Sequence, residues 1–249
     1  MKLTLAESKL LKDPINIISE LVSDVTLKID KEKLELIAMD PANVVMIVFR
    51  LLSSAFVEYD VKKEETISLS LDNLNQVFRR IKPSDTLILE LNEEKNKLKI
   101  RLRGNTHRTF NLNLLNANEQ EKKIPELEFP LKIETNSSLF EDAIEDAGIV
   151  ADSVAFIIDK NKFLVQSQGN ISDAKIEVVT DEETEIEMNS DDKVTARYSV
   201  EYLKKIIKGG KLADRVKVQF NKDYPLKVDY TVLNKLGLTF ILAPRVSND

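Results

Sequence analysis

The 249-residue chain contains no cysteine. That excludes a disulfide frame, a thiolate metal site and a cysteine nucleophile, and it fits a reducing compartment. Glycine and proline are scarce, at 6 and 7 residues, so the chain is neither collagen-like nor of low complexity. No apolar run approaches the roughly 18 residues of a spanning helix. The opening MKLTLAESKLLKD has no long apolar core of a leader peptide. A non-secreted, cytoplasmic protein with no membrane partner is expected.

Signs of catalysis are missing as well. The one histidine, His107, lies on a strand-like run beside Arg108 with no partner in view, and such a residue is ordinarily structural. No dinucleotide, zinc-protease, EF-hand or nucleophile-elbow motif occurs. Gly209-Gly210-Lys211 lacks the spacing of a phosphate loop and reads as a helix stop. The acidic clusters Asp181-Glu182-Glu183 and Ser190-Asp191-Asp192 lack regular calcium-ligand spacing and read as solvated turns. No catalytic residue, cofactor or metal site is expected, and the chain does not read as an enzyme.

What is present is core material: 43% of residues are apolar. The net charge of −6 argues against a generally basic nucleic-acid binder but leaves room for a local basic patch. Leu11, Ile15, Ile18 and Val22 have helical spacing over residues 8–22, with Ser8 a candidate N-cap. Asp13-Pro14 predicts either a later start or a kink. Strands are expected at 25–29, 34–39, 44–51, 55–61 and 66–71, then a helix over 72–82 closed by Pro83-Ser84. Residues 87–91, 98–102 and 108–114 alternate as half-buried strands do.

After Asn116 the order returns. A strand begins at Leu131, and Phe140, Ala143, Ile144 and Ala147 mark a helix. Strands are expected at 154–158, 163–166, 175–179, 185–188 and 194–198. A helix follows over 200–208, and strands at 216–220, 226–230 and 238–242 finish the chain. Ile29-Asp30-Lys31 matches Ile158-Asp159-Lys160 at an offset of 129, as Leu74 matches Leu203 and Asp85 matches Asp214. Leu98-Lys99-Ile100 matches Leu226-Lys227-Val228 at 128, and Thr109-Phe110 matches Thr239-Phe240 at 130. A near-constant offset along the chain predicts a duplication: a first domain over 1–115, a connecting strap over 116–129 and a second domain over 130–249. Each half predicts an antiparallel sheet with helices on one face, an α+β class. Two such halves leave open sheet edges that need a partner.

The helices carry the functional signal. Arg79 and Arg80 lie off the apolar stripe of the 72–82 helix, with Lys82 beyond. Lys204, Lys205 and Lys208 do the same in the 200–208 helix, with Lys211 following, and Arg79 and Lys208 are equivalent under the offset. Taken alone these are solvated helix faces. Two equivalent basic faces in an acidic chain also suit a phosphate backbone, contacted without base reading. In the strap, Leu127 and Phe129 stand in a charged linker and call for something apolar to pack on; most other apolar residues read as ordinary core.

Three short runs together resemble the proliferating cell nuclear antigen family of DNA sliding clamps in its archaeal form. They are Leu34-Glu35-Leu36-Ile37-Ala38-Met39-Asp40 with Asn43-Val44-Val45-Met46, then Ile124-Pro125-Glu126, then Leu242-Ala243-Pro244-Arg245. The resemblance spans essentially the whole chain. It implies the DNA clamp fold, two duplicated domains assembling as a homotrimer into a closed ring. Helices line the hole, and sheet edges, here 107–115 and 173–180, pair head to tail. The ring encircles double-stranded DNA without regard to sequence, and encirclement replaces affinity. The nucleoid-associated partners implied are DNA polymerase, a clamp loader, nuclease and ligase, held through short peptide motifs.

Lining residues carried over are Lys12, Arg79, Lys205 and Lys208, to which the helix faces add Lys204 and Lys211. The peptide pocket implied is Met39, Val44, Met46, Ile124, Leu127, Phe129, Pro225, Ile241 and Pro244, with Ala243 offering its backbone. The implied subunit interface joins Arg80, Lys82, Arg108 and Phe110 of one copy to Asp142, Asp146, Lys175, Ile176 and Val178 of the next. Glu141, Asp142, Glu145 and Asp146 depart from the basic residues the family carries on that helix, which weakens DNA contact there and frees the aspartates for intersubunit ion pairs. Alternatives are one subunit of a heterotrimeric clamp, or a protein-only scaffold of the same fold.

Overall fold

The computed structural model describes residues 1–92, 96–116, 122–159, 162–181, 183–188 and 193–245. They form two compact units. The first takes in Met1–Pro41, Ile47–Ile124 and Val232–Leu238; the second takes in Ala42–Met46, Pro125–Thr231 and the chain from Thr239.

The first half of the chain runs β1 (Lys2–Leu5), α1 (Lys9–Ile18), β2 (Asp24–Ile29), β3 (Lys33–Met39), β4 (Val45–Leu52), β5 (Glu58–Asp60), β6 (Glu65–Ser70), α2 (Leu71–Phe78), β7 (Thr86–Asn92), β8 (Lys97–Arg103) and β9 (His107–Asn113). The second half runs β10 (Leu131–Asn136), α3 (Ser137–Ala147), β11 (Ser153–Asp159), β12 (Lys162–Gln168), β13 (Asp173–Val178), β14 (Glu185–Met188), β15 (Val194–Ser199), α4 (Val200–Ile206), β16 (Arg215–Phe220), β17 (Leu226–Val232) and β18 (Leu236–Leu242). Strand order is β5-β1-β7-β8-β9 and β4-β3-β2-β6 in the first half. Replacing each strand by its counterpart gives β14-β10-β16-β17-β18 and β13-β12-β11-β15, the order found in the second. Neighbours pair antiparallel, as in β7–β8 and β16–β17. The helices pack in pairs, α1 with α2 and α3 with α4. This is the duplicated α+β architecture that the offset predicts.

The drift of the offset has a structural cause. On β7 and β16 the inward residues are Leu87 and Leu89, then Val216 and Val218, still 129 apart. On β8 they are Leu98, Ile100 and Leu102; on β17, Leu226, Val228 and Tyr230, 128 apart. Strand side chains alternate with period 2, so a one-residue change in the preceding turn must be absorbed in register or every inward residue would face out.

The cores differ in material. The second unit centres on Phe156, whose ring meets Phe140, Phe163, Tyr198 and Phe220 edge-on at 5.3 to 6.0 Å. The first is chiefly aliphatic, with Leu3, Ile15, Ile18, Leu34, Leu69, Leu74 and Ile100 buried.

Several local expectations are corrected. A strand at Lys2–Leu5 precedes the first helix, and Leu3 and Leu5 are buried. Helix α1 starts at Lys9 and continues through Pro14. Ser8 is itself helical and makes no side-chain cap; its carbonyl accepts from Leu11 and Lys12 at 3.2 and 3.0 Å. Pro14 forfeits one backbone bond, offset by burial beside Leu10, Leu11, Ile15, Ile17 and Ile18, each worth about 1.5–3 kcal/mol when fully buried. Residues 55–61 are not one strand but the end of a 3-10 turn, Ser53–Ala55, and the short β5.

Helix α2 stops at Phe78, where Arg80 and Ile81 donate to Val77 and Phe78 in tighter turns. Gly209-Gly210 does not end α4 in a left-handed cap. Both lie inside a 3-10 turn, Ile207–Lys211, and no glycine among the described residues has positive φ. Gly209 is needed for contact: a Cβ there would come within 2.3 Å of the buried Tyr230 ring.

Candidate functional site

Three surfaces hold the predicted residues, and the first is the helix faces. In the first unit, α2 buries Leu71, Leu74, Val77 and Phe78, so Arg79 and Arg80 emerge exposed at its C-terminal end. Cations are favoured there by the helix dipole. Lys12 is half-exposed on α1, beside Asp13. Neither Lys12 nor Arg79 has an ion-pair partner among the described residues.

In the second unit the predicted cations are partly neutralised. Lys204 reaches across to Glu145 of α3 at 2.9 Å. Lys205 pairs with Glu201 one turn back at 3.2 Å and lies 5.4 Å from the Tyr202 ring centre. Exposed pairs of this kind contribute about 0–1 kcal/mol, but they take charge from the surface. Lys208 and Lys211 sit on the 3-10 turn, and exposed Lys211 has no ion-pair partner among the described residues. Of the α3 acids, Glu145 thus serves Lys204, while Asp142 and Asp146 stay exposed.

The second surface lies in the second unit, where β15 sets two neighbouring turns. The buried Tyr198 donates from its hydroxyl to the Tyr224 carbonyl at 2.8 Å, and burial pushes its phenol pKa up. Phe129, at the end of the strap, meets the Tyr224 ring edge-on at 5.7 Å. Pro225 follows in the same turn, for which Asp223 takes positive φ. On the other side, Ala243 N–H donates to Val44 at 2.9 Å, and Arg245 N–H donates to Arg197 of β15 at 2.7 Å.

Val44, Leu127, Phe129, Pro225 and Pro244 are half-buried and Ala243 is exposed. Met46 and Ile241, predicted on the same basis, are buried and lie beneath the surface rather than on it. Met39 and Ile124 belong to the first unit, half-buried and exposed. Tyr198, Tyr224 and Arg245 escaped sequence reasoning as site residues. Arg245 closes the Leu242-Ala243-Pro244-Arg245 run and was the one with a readable signal.

The third surface is a pair of strand edges. Among the described residues β9 pairs only with β8, and β13 only with β12. The first free edge ends before Leu115, whose N–H turns to Ser68 of β6 at 2.8 Å. Phe110 is half-buried on β9; on β13, Lys175 is exposed, Ile176 half-buried and Val178 buried. An open hollow of about 260 Å³ lies beside β13, lined by Leu139, Asp142, Asp146, Ile176 and Val178 among others.

Arg80 and Lys82 are exposed near β9. Arg108 is not turned outward with them. Its guanidinium donates to the Arg80 carbonyl at 2.7 Å and pairs with the buried Asp85. The Asp85 carboxylate also accepts from Lys82 N–H at 2.6 Å. That backbone bond first, and then Arg108, hold the Asp85 carboxyl below the usual range.

No group of three or more potential metal ligands occurs among the described residues. No described helix is long and apolar enough to cross a membrane. Glu182 and residues 190–192, in the predicted acidic turns, lie outside the described residues. Asp181 accepts from Glu183 and Thr184 N–H at 2.9 and 3.0 Å, closing a turn of its own.

Comparison with known proteins covers nearly the whole chain. The model for the proliferating cell nuclear antigen N-terminal domain matches residues 1–133, and that for the C-terminal domain matches residues 123–246. A DNA polymerase sliding clamp of Nanoarchaeum equitans is 33% identical over 247 residues, covering 98% of this chain and 99% of its own length. One of Pyrococcus furiosus is 34% identical over 232 residues, 93% of each. The crystal structure of the antigen from Thermococcus kodakaraensis superposes with a TM-score of 0.91 at 27% identity, covering 98% of this chain and 99% of that one.

Proposed function

The chain belongs to the proliferating cell nuclear antigen family of DNA polymerase sliding clamps, and from that premise we propose that three copies close into a ring around duplex DNA. The observation that carries this reading is the duplication itself. One unit design occurs twice, each time with a helix pair bearing cations, and among the described residues β9 and β13 each pair on one side only. Head-to-tail pairing of those edges uses heterologous surfaces, and such contacts form a ring when the rotation closes. Arg80 and Lys82 of one copy would then face Asp142 and Asp146 of the next, with Phe110 and Ile176 adding apolar contact.

A topological link removes the need for tight binding. Phosphate contacts can be few and exchangeable, which suits a chain of net charge −6. Lys12, Arg79, Lys204, Lys205, Lys208 and Lys211 are the contacts of this reading, and Lys204 and Lys205 already pair with Glu145 and Glu201. The chain has no catalysis of its own and acts in the cytoplasm on the nucleoid. Polymerase, clamp loader, nuclease and ligase dock through short peptides on Val44, Leu127, Phe129, Pro225, Ala243 and Pro244. The resemblance adds Met39 and Ile124.

Three measurements test this. Native mass spectrometry should give a trimer of the 28.3 kDa chain. After loading, the protein should stay on circular DNA and slide off linear DNA; equal loss from both would reject encirclement. Replacing Leu127 and Phe129 together by Ser should abolish polymerase binding and leave the trimer intact. Full-affinity binding by that variant would reduce the strap to a tether.

A further inference from the structure

The repeat continues one step past its last strand. Leaving β9, the chain turns so that Leu115 N–H bonds the carbonyl of Ser68 on β6. Leaving β18, it turns so that Arg245 N–H bonds the carbonyl of Arg197 on β15. Ser68 and Arg197 are 129 apart and Leu115 and Arg245 are 130 apart, the offsets of their own strands. The start of the strap and the segment after β18 are therefore equivalent anchors on equivalent edge strands.

The second anchor carries something that the first lacks. The Arg245 guanidinium meets the Asp152 carboxylate with both nitrogens, at 3.0 and 3.1 Å. Bidentate pairing fixes direction as well as distance. Asp152 is itself held in place, since its carbonyl accepts from Val200 N–H at 3.0 Å, where β15 passes into α4. Position 115, equivalent to 245, is a leucine, so the first half has no such pair there.

The placement of this pair gives it a use. Ala243 and Pro244 lie between two fixed points, the Ala243 bond to Val44 and the Arg245 bonds to Arg197 and Asp152. The adjacent residue of β15, Tyr198, holds the Tyr224–Pro225 turn. Two consecutive residues of one strand thus set both sides of the proposed docking surface.

We propose that Asp152 and Arg245 form a latch that positions Ala243–Pro244 for partner docking, and that they are positioning residues for polymerase binding. This rests on the docking surface proposed above. Held by the latch, the Ala243–Pro244 backbone is ordered before a partner arrives, so less ordering remains to oppose binding. Because the pair is exposed, salt should weaken it.

The test uses the full-length clamp and the replicative DNA polymerase of the same cell, with binding followed at low and high salt. Asp152→Asn should weaken binding about two- to fivefold at low salt, the range for one exposed pair, and should match the unaltered protein near 1 M salt. The double exchange Asp152→Arg with Arg245→Asp should recover most of the loss. Hydrogen exchange at the Arg245 amide should quicken in Asp152→Asn and slow again in the double exchange, with trimer mass unchanged throughout. Unchanged low-salt binding by Asp152→Asn, while the Leu127 and Phe129 variant fails to bind, would overturn the latch and leave the docking surface standing. Unchanged binding by both variants would overturn the two together.

Discussion

Arg108 shows what one residue's partners decide. By sequence it belongs with Arg80 and Lys82, because all three are cations near the edge of the first half. Its partner, Asp85, lies 23 residues earlier, beyond any local pattern. Asp85 is only 2% exposed, and burial of a carboxylate requires partners. Lys82 N–H and the Arg108 guanidinium supply them, and Gly104 leaves the room, since a Cβ there would fall 2.3 Å from an Asp85 oxygen. The match of Asp85 to Asp214 was readable but uninformative about this role, because Asp214 is exposed.

Asp85→Asn should therefore cost about 1.5–3 kcal/mol at neutral pH, the range for losing hydrogen bonds to a charged group. The sign of the pH dependence follows from the depressed carboxyl pKa. Its contribution is complete above the unfolded value near 4 and disappears as pH falls through the lower folded value. Denaturant titrations of both proteins should differ at pH 7 and converge at strongly acid pH; a constant difference would separate Asp85 from the ionic network.

At the scale of elements, position and type followed from periodicity because inward residues recur at the period of the element they form. Ends did not. Helix α2 predicted to Lys82 stops at Phe78, and Gly209-Gly210 read as a stop lies within a turn. Beyond each end lies a contact that periodicity does not encode: Lys82 N–H turning to Asp85, and the Tyr230 ring against Gly209. The apolar surface was partly readable for the same reason. Leu127 and Phe129 stood out in a charged stretch, whereas Met46 and Ile241 could not be told from core, and core is where they lie.

Charge was the least readable property of the elements. Six cations were predicted to face DNA, yet Lys204 and Lys205 lean on Glu145 and Glu201. The consequence is measurable. Arg79→Ala and Lys211→Ala should each weaken binding of linear duplex DNA at low salt and lower the slope of log K against log salt by about 0.9, as expected for one phosphate contact. Lys204→Ala should do less, and Glu145→Gln should strengthen binding by releasing Lys204. Equal effects of Lys204→Ala and Lys211→Ala would mean that the Glu145 pair does not persist in solution.

For the whole molecule, duplication explains why one chain can supply both sides of a contact with its own copies. β9 and β13 are not counterparts: β9 corresponds to β18, and β13 to β4. A copy therefore presents one kind of edge in its first half and another in its second, as head-to-tail assembly requires. Charge sorts with the edges, with Arg80 and Lys82 by β9 and Asp142 and Asp146 lining the hollow by β13. Arg108, engaged with Asp85, is a poor choice for a test, because reversing it would set two carboxylates together and disturb the unit itself. Arg80 and Lys82 are exposed and suit the purpose. Reversing both to Glu should shift the trimer toward monomer in analytical ultracentrifugation at low concentration, by about a factor of ten or more for two exposed pairs per interface. Asp142→Lys with Asp146→Lys should do the same. Mixed together, the two variants should associate with each other better than either does with itself, because both contacts between unlike copies, reversed edge against reversed edge and unaltered edge against unaltered edge, bring opposite charges together. A full trimer for each variant alone, or no preference in the mixture, would mean that strand pairing and apolar contact hold the ring without these charges.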